Sequence, residues 1–132
     1  MATIRKEITV KATAEQAWDV MRDIGALHTR LVPGFVVDTK LEPGARLVTF
    51  ANGRVARERI VTIDDDARRL VWSATGDLLT HHNASAQILD EPDGRCRIIW
   101  VADLLPDSMS EAIEQMMDQG MTAMLTTLDG SK

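Results

Sequence analysis

The sequence predicts an α+β domain in which a curved antiparallel sheet of seven strands wraps one long C-terminal helix, with two short helices after the first strand. Three observations predict it. Six strand-like runs between Phe35 and Leu104 are separated by turn signals at short, regular intervals, which implies hairpins in a meander rather than parallel crossovers. From Pro106 onward, apolar residues recur at spacings of three and four, the mark of one broad helix face. The 132 residues are 45% apolar and 27% charged, an ordinary globular balance in a length that suits one domain over 1–132.

The elements follow in order. Thr3 to Val10 alternates, with Ile4, Lys6, Ile8 and Val10 on one side of a first strand. Thr13 can cap a helix over Ala14 to Arg22, and Gln16 three residues later completes a capping box. Trp18 and Met21 give that helix an apolar side. A second short helix over Ile24 to Leu31 must end near Val32, because the residue before Pro33 avoids the helical conformation. Strands are then expected over Phe35–Leu41, Arg46–Ala51, Val55–Ile63, Arg69–Ala74, Thr80–Leu89 and Arg95–Leu104. Glu42-Pro43-Gly44, Asn52-Gly53, Asp64-Asp65-Asp66, Gly76-Asp77 and Pro92-Asp93-Gly94 supply the turns, and Asn52-Gly53 is the strongest hairpin signal. Pro106 suits a first helical turn, and Asp107, Glu111 and Glu114 favour its positive end. The apolar face of that helix holds Met109, Ala112, Ile113, Met116, Met117, Gly120, Met121, Met124, Leu125 and Leu128.

Composition excludes several classes of function. The formal charge is −5 and the basic residues are scattered, which argues against a nucleic-acid partner. Cys96 is the sole cysteine, so neither an internal disulfide nor a CxxC metal pair can form. Set between two arginines on a strand, it reads as a packed thiol rather than a nucleophile. There is no HExxH, no Gly-rich phosphate loop and no tyrosine, and no serine sits on a nucleophile elbow. Asp64-Asp65-Asp66 lacks the other ligands of a calcium loop and reads as a solvated turn. Neither a metal nor a cofactor is expected. The N-terminal residues show no apolar signal region, and no run is long enough to span a membrane. A cytoplasmic location is therefore the default expectation.

Four stretches carry a resemblance. They are Ala14-Glu15-Gln16-Ala17-Trp18, then Glu58-Arg59-Ile60 leading to Asp64-Asp65-Asp66, then Arg69-Leu70-Val71-Trp72-Ser73, then the strand end from Trp100 to Pro106. In this order and spacing the chain resembles the START-like or Bet v 1-like (SRPBCC) superfamily, and within it the polyketide cyclase/dehydrase-like branch, over essentially its whole length. The run from Glu58 to Gly76 is also similar to the matching stretch of plant abscisic acid receptors. The resemblance implies a helix-grip fold with an apolar cavity between sheet and long helix. It does not imply one chemistry, because members bind hormones and lipids, cyclise polyketides or act as co-chaperones.

Alternation along each strand sorts the side chains. In Val55–Ile63, Arg57 and Arg59 suit water, which turns Ala56, Glu58, Ile60 and Thr62 inward. The resemblance agrees for Glu58, and it turns Leu70, Trp72 and Ala74 inward on the next strand. His82, Ala84, Ala86 and Ile88 form one set on the strand after that. The last strand allows two registers. Polarity alone buries Trp100. Counting back from Pro106, as the resemblance implies, buries Ile99, Val101 and Asp103, and leaves Trp100 beside Ile98 on the outer face, where it could seed a homodimer. The second register is the one expected. Ala56, Ala74, Ala84 and Ala86 would then face Ile113, Met116, Met117, Gly120, Met121 and Met124. Small residues opposite flexible thioethers leave adaptable space. Alternatively, the alanines let the helix pack close and the methionines fill the gap.

Three polar groups could act there. Glu58, a carboxylate on an apolar wall, suits a general acid or base. It could instead anchor a ligand hydroxyl or amine, or end in a salt bridge to an arginine at the rim. His82 could form a proton-transfer pair with Glu58 or Asp103, or be a plain hydrogen-bonded strand histidine. Asp103 either joins that chemistry or caps the approach to the long helix. His28, on the second short helix, lies near the presumed mouth. The expected function is binding of a small hydrophobic molecule, such as a lipid, a polyketide-like compound or an aromatic metabolite. It would enter past the Gly76-to-Leu79 loop, the Asn52-Gly53 turn and the second short helix. One rival is a cofactor-independent cyclase, dehydratase or isomerase using Glu58 and His82. Another is a protein-interaction module using the outer sheet face around Trp100.

Overall fold

A computed structural model describes residues 1–76 and 78–129. The chain starts in strand β1 (Ala2–Val10) and passes through helix α1 (Ala14–Met21). Two short helical turns follow, Ile24–Ala26 and Leu27–Leu31, before the strands β2 (Val36–Glu42), β3 (Ala45–Phe50), β4 (Val55–Asp64), β5 (Arg69–Thr75), β6 (His81–Asp90) and β7 (Cys96–Leu105). A turn at Asp107–Met109 leads into helix α2 (Ser110–Leu128). The expected α+β helix-grip architecture is present: seven antiparallel strands in the order β1-β7-β6-β5-β4-β3-β2, with α2 across one face.

The sheet order explains why the middle of the chain reads as a meander. Strands β2 to β6 are each paired with their successor, and only β1 pairs at long range, against β7. The turn residues meet their geometry. Gly53 sits at φ 90° in the hairpin joining β3 and β4, a conformation open to glycine without steric cost. The capping box of α1 is complete: Thr13 Oγ1 accepts from the Gln16 N–H at 3.1 Å, and the Gln16 side chain accepts from the Thr13 N–H at 3.0 Å. Asp65 does more than the solvated turn expected of its segment. It accepts from both Trp18 Nε1 and Arg22 Nε at 2.8 Å, which fastens the β4–β5 turn to α1. The Arg22 guanidinium, and then the Trp18 indole, hold its carboxyl below the usual range.

Helix α2 buries Ile113, Met117, Gly120, Met121, Met124 and Leu128. It is held along β1 by Lys6, which reaches Glu114 at 2.7 Å and Asp118 at 3.1 Å. Its C-terminal end is tied by the Ala12 N–H to the Leu128 carbonyl at 3.0 Å. The helix passes so near β7 that a Cβ on Gly120 would lie 2.9 Å from the Trp100 ring and 3.1 Å from that of Phe35.

This contact corrects the expected register of the last strand. Ile98, Ala102 and Leu104 are buried with Trp100 on the face toward α2, while Arg97, Ile99, Val101 and Asp103 lie on the outer face. The reason is cross-strand pairing. Ala84, Ala86 and Ile88 of β6 stand opposite Ala102, Trp100 and Ile98, and directly opposed residues share a face. Polarity agrees, because Arg97 reaches Glu7 and Glu91 and Asp103 accepts from the Thr3 hydroxyl at 2.6 Å. The outer-face tryptophan expected to seed a dimer, or to carry an interaction surface, is therefore inside.

Candidate functional site

Between sheet and helix lies a cavity of about 170 Å³. Its floor comes from β4, β5 and β6 through Ala56, Glu58, Trp72, Ala74, His82 and Ala86. Ile113, Met116 and Met124 of α2 form the roof, and Met21, Leu31, Val32, Phe35 and Phe50 close one end. Asn52 and Arg54 from the β3–β4 turn, Thr75, Gly76, Leu78 and Leu79 from the β5–β6 connection, and Leu27 also line it. All three segments expected at the mouth thus reach the cavity. Asp77, within the Gly76-to-Leu79 loop, lies outside the described residues.

The cavity gathers some of the expected residues and leaves others out. Ala56, Glu58, Trp72, Ala74, His82, Ile113, Met116 and Met124 line it. Ala84, Met117, Gly120 and Met121 are buried in the core, and Ile60 packs against that core, but none of these five borders the space. Ile99, Val101 and Asp103 belong to the outer face and do not line it either. His28 is turned to Thr39, with Nδ1 3.1 Å from its hydroxyl, and does not line the cavity. Trp100 does, with its ring centroid 6.1 Å from that of Trp72.

The residue that alternation had not picked out is Arg46. It is 3% exposed, and its Nε donates to Glu58 Oε1 at 2.8 Å. A second nitrogen donates to the Ile24 carbonyl at 3.2 Å, and the guanidinium carbon lies 6.0 Å from the Trp72 ring centre. The salt bridge weighed for Glu58 is therefore real, but it sits in the wall of the cavity rather than at its rim. The Asn52-Gly53 signal alone would not have found it: a two-residue turn there sets Arg46 opposite Arg59, whereas the observed hairpin is centred on Asn52 and sets it opposite Glu58. A buried pair of this kind satisfies its charges mutually, since either alone would be costly to desolvate.

His82 is held differently. Its Nδ1 accepts the Ala74 backbone N–H at 3.0 Å, and its carbonyl accepts from the Ser73 hydroxyl at 2.6 Å. The paired ladder of β5 and β6 stops at Trp72 and Ala84, so an imidazole takes over the backbone group that the ladder leaves. Burial, reinforced by the neighbouring His81 and opposed by Asp103, pushes the ring down to about 4. It is therefore neutral at pH 7, with its proton on Nε2 because Nδ1 is an acceptor. The proton-transfer pair expected with Asp103 is not assembled inside the cavity, because Asp103 occupies the other face. Cys96 is buried, and burial pushes its thiol up to about 11, as suits a packed thiol. Among the described residues no group of three or more His, Cys, Asp or Glu side chains could hold a metal ion, and no helix is long and apolar enough to cross a membrane.

A family model described as polyketide cyclase / dehydrase and lipid transport matches residues 1–129. The chain belongs to that family. No curated protein matches this family member in sequence. Among solved structures it is similar to a protein from Thermobifida fusca, at 26% identity and a TM-score of 0.80 over 98% of this chain and 91% of that one. It is also similar to norcoclaurine synthase from Thalictrum flavum in complex with dopamine and hydroxybenzaldehyde, at 18% identity and a TM-score of 0.74 over 99% and 88%. A START superfamily protein from Mycobacterium smegmatis gives 9% identity and a TM-score of 0.72 over 97% and 94%. The last two likenesses carry the fold alone. The polyketide cyclase/dehydrase chain thus shares the fold of a START superfamily protein, and its family and fold are compatible with ligand binding in an apolar cavity.

Proposed function

We propose that the protein binds one small, mostly apolar ring compound in the cavity between sheet and α2. The observation that carries this is the cavity itself: about 170 Å³ of space, walled by two tryptophans, two phenylalanines and three methionines of α1 and α2, with the buried Arg46 and Glu58, the half-buried His82 and the buried Trp100 Nε1 among its polar groups. The volume favours the smaller of the expected ligands. An apolar cavity of about 150 Å³ is enough to hold benzene, whereas pockets for drug-sized molecules run from about 300 Å³ upward. The enclosed space suits a single ring or a small fused pair better than an extended acyl chain. Norcoclaurine synthase, which shares the fold, holds two small aromatic compounds, and this supports the same scale of ligand here. Acid/base catalysis through Glu58 and His82 has less support, because Arg46 occupies one carboxylate oxygen and Ala74 occupies the imidazole Nδ1.

Tryptophan indole N–H signals in an NMR titration with benzene test this reading. Trp72 and Trp100 line the cavity and Trp18 does not. Saturable shifts are expected at the first two and not at the third, and filling the space with Ala74→Phe should abolish them. Trp72 and Trp100 signals that do not move, or that move only in proportion to solvent content, would overturn the proposal.

A further inference from the structure

Four cavity residues stand on one rung of the sheet. Arg46 of β3 pairs with Glu58 of β4, Glu58 pairs with Ala74 of β5, and the Ala74 N–H reaches His82 of β6. Neighbouring strands lie about 4.8 Å apart, so the backbones of Glu58 and His82 are about 10 Å apart. Only the Ala74 methyl group stands between them, which makes a low floor flanked by two polar walls.

The polarity of each wall is set by what already holds it. Arg46 takes Glu58 Oε1, and Oε2 has no hydrogen-bond partner among the described residues. Ala74 donates to His82 Nδ1, which leaves Nε2 as the protonated nitrogen, also without a partner among the described residues. One end of the rung therefore offers an acceptor and the other a donor. Both groups are oriented before any ligand arrives, which lowers the cost of ordering them on binding.

We infer that this rung is a two-point recognition site for a ring compound with a carbonyl-type oxygen at one end and a hydroxyl at the other. The carbonyl oxygen accepts from His82 Nε2, the hydroxyl donates to Glu58 Oε2, and the ring lies over Ala74 against Trp72. Arg46 is a positioning residue that keeps the carboxylate turned along the rung. Burial of His82 supports this, since the low-lying imidazole stays neutral and keeps a single proton to donate. The inference rests on the reading that the cavity holds a small apolar ligand, and it adds the chemistry that such a ligand must carry.

Calorimetric titration of the full chain with four para-related compounds separates the two claims. The compounds are ethylbenzene, acetophenone, 4-ethylphenol and 4-hydroxyacetophenone, which share one ring and differ in the carbonyl and the hydroxyl. Each polar group is expected to tighten binding about five- to ten-fold over the compound lacking it, the worth of one buried hydrogen bond. In His82→Phe the carbonyl advantage is expected to vanish while the hydroxyl advantage stays. Ethylbenzene binding as tightly as 4-hydroxyacetophenone to the unmodified protein overturns the inference and leaves the cavity reading standing. A carbonyl advantage that survives in His82→Phe also overturns it. Failure of all four compounds to bind overturns both. The comparison on the unmodified chain decides the matter even if the variant folds poorly.

Discussion

Glu58 and Arg46 form a pair whose worth depends on which partner is removed. Both are buried, with Nε and Oε1 2.8 Å apart. Glu58→Ala leaves a guanidinium in the apolar wall, and a loss of about 3–5 kcal/mol is expected in urea unfolding. Replacing both, as Arg46→Met with Glu58→Leu, should restore most of that loss, because no uncompensated charge remains. A double variant as unstable as Glu58→Ala would show that the pair itself, rather than the orphaned cation, carries the stability. His82 gives a pH signature of its own. Burial first, then His81 against the opposing Asp103, takes the ring from 6.5 to about 4 in the folded chain. Because the folded value is depressed, the unfolded chain binds the extra proton between these limits. Its contribution is full above about pH 6.5 and is lost as pH falls toward 4, by up to about 3 kcal/mol. Unfolding free energies measured at pH 7 and pH 4.5 should differ more in the natural protein than in His82→Gln. Equal differences would mean that the ring is not desolvated as described.

At the scale of the elements, α2 is placed by a missing side chain. Glycine inside a helix costs about 1 kcal/mol relative to alanine, yet Gly120 sits mid-helix over Trp100. A Cβ there would lie 2.9 Å from the indole and 3.1 Å from the Phe35 ring, inside van der Waals contact with two packed rings. Gly120→Ala is therefore expected to destabilise the fold, by about 1 kcal/mol after the propensity gain, as an overpacked site does. A rise in thermal midpoint would show that the helix can lift away from β7 without loss. The other tie of this kind joins α1 to the β4–β5 turn through Asp65. Its two 2.8 Å bonds leave a buried indole N–H to account for if they are cut, which gives a turn outside the cavity a structural reason for its acidic residue.

For the molecule as a whole, the cavity couples binding to stability. A ligand that enters only the folded chain stabilises it by about 2.7 kcal/mol at a hundred times its dissociation constant. Ala74→Phe fills space between the sheet and α2, so two outcomes are expected together in thermal unfolding. The variant should melt no lower than the natural chain in the absence of ligand, and its midpoint should no longer respond to benzene. A variant that still responds would place the binding site outside this space. The same geometry sets what the outer face can do. Its charges are paired across β1, β6 and β7, as with Arg97 to Glu7 and Glu91, and the large aromatic side chain expected there is inside.

The period-two pattern and the turn residues were enough to determine the seven strands, their meander, the capped first helix and the long apolar face of α2, because each depends on neighbours a few residues apart. The inward placement of Ala56 and Glu58 was legible for the same reason, as alternation along a strand needs no partner, and His82 fell in one alternating set with Ala84 and Ala86, whereas the inward face of Trp72 and Ala74 came from the family resemblance. Arg46 was not legible: a turn on Asn52-Gly53 would set it opposite Arg59, the observed hairpin is shifted by one residue to set it opposite Glu58, and alone it reads as a residue for water. What only the tertiary structure decided was the face of β7 and the real border of the cavity. Trp100, Ile99, Val101 and Asp103 are sorted by their pairing with β6 and β1 and by the approach of α2 at Gly120, contacts made across the fold. Polarity along β7 pointed to the observed face, but with both faces part apolar that signal was weaker than the count back from Pro106, which the contacts across the fold overturned.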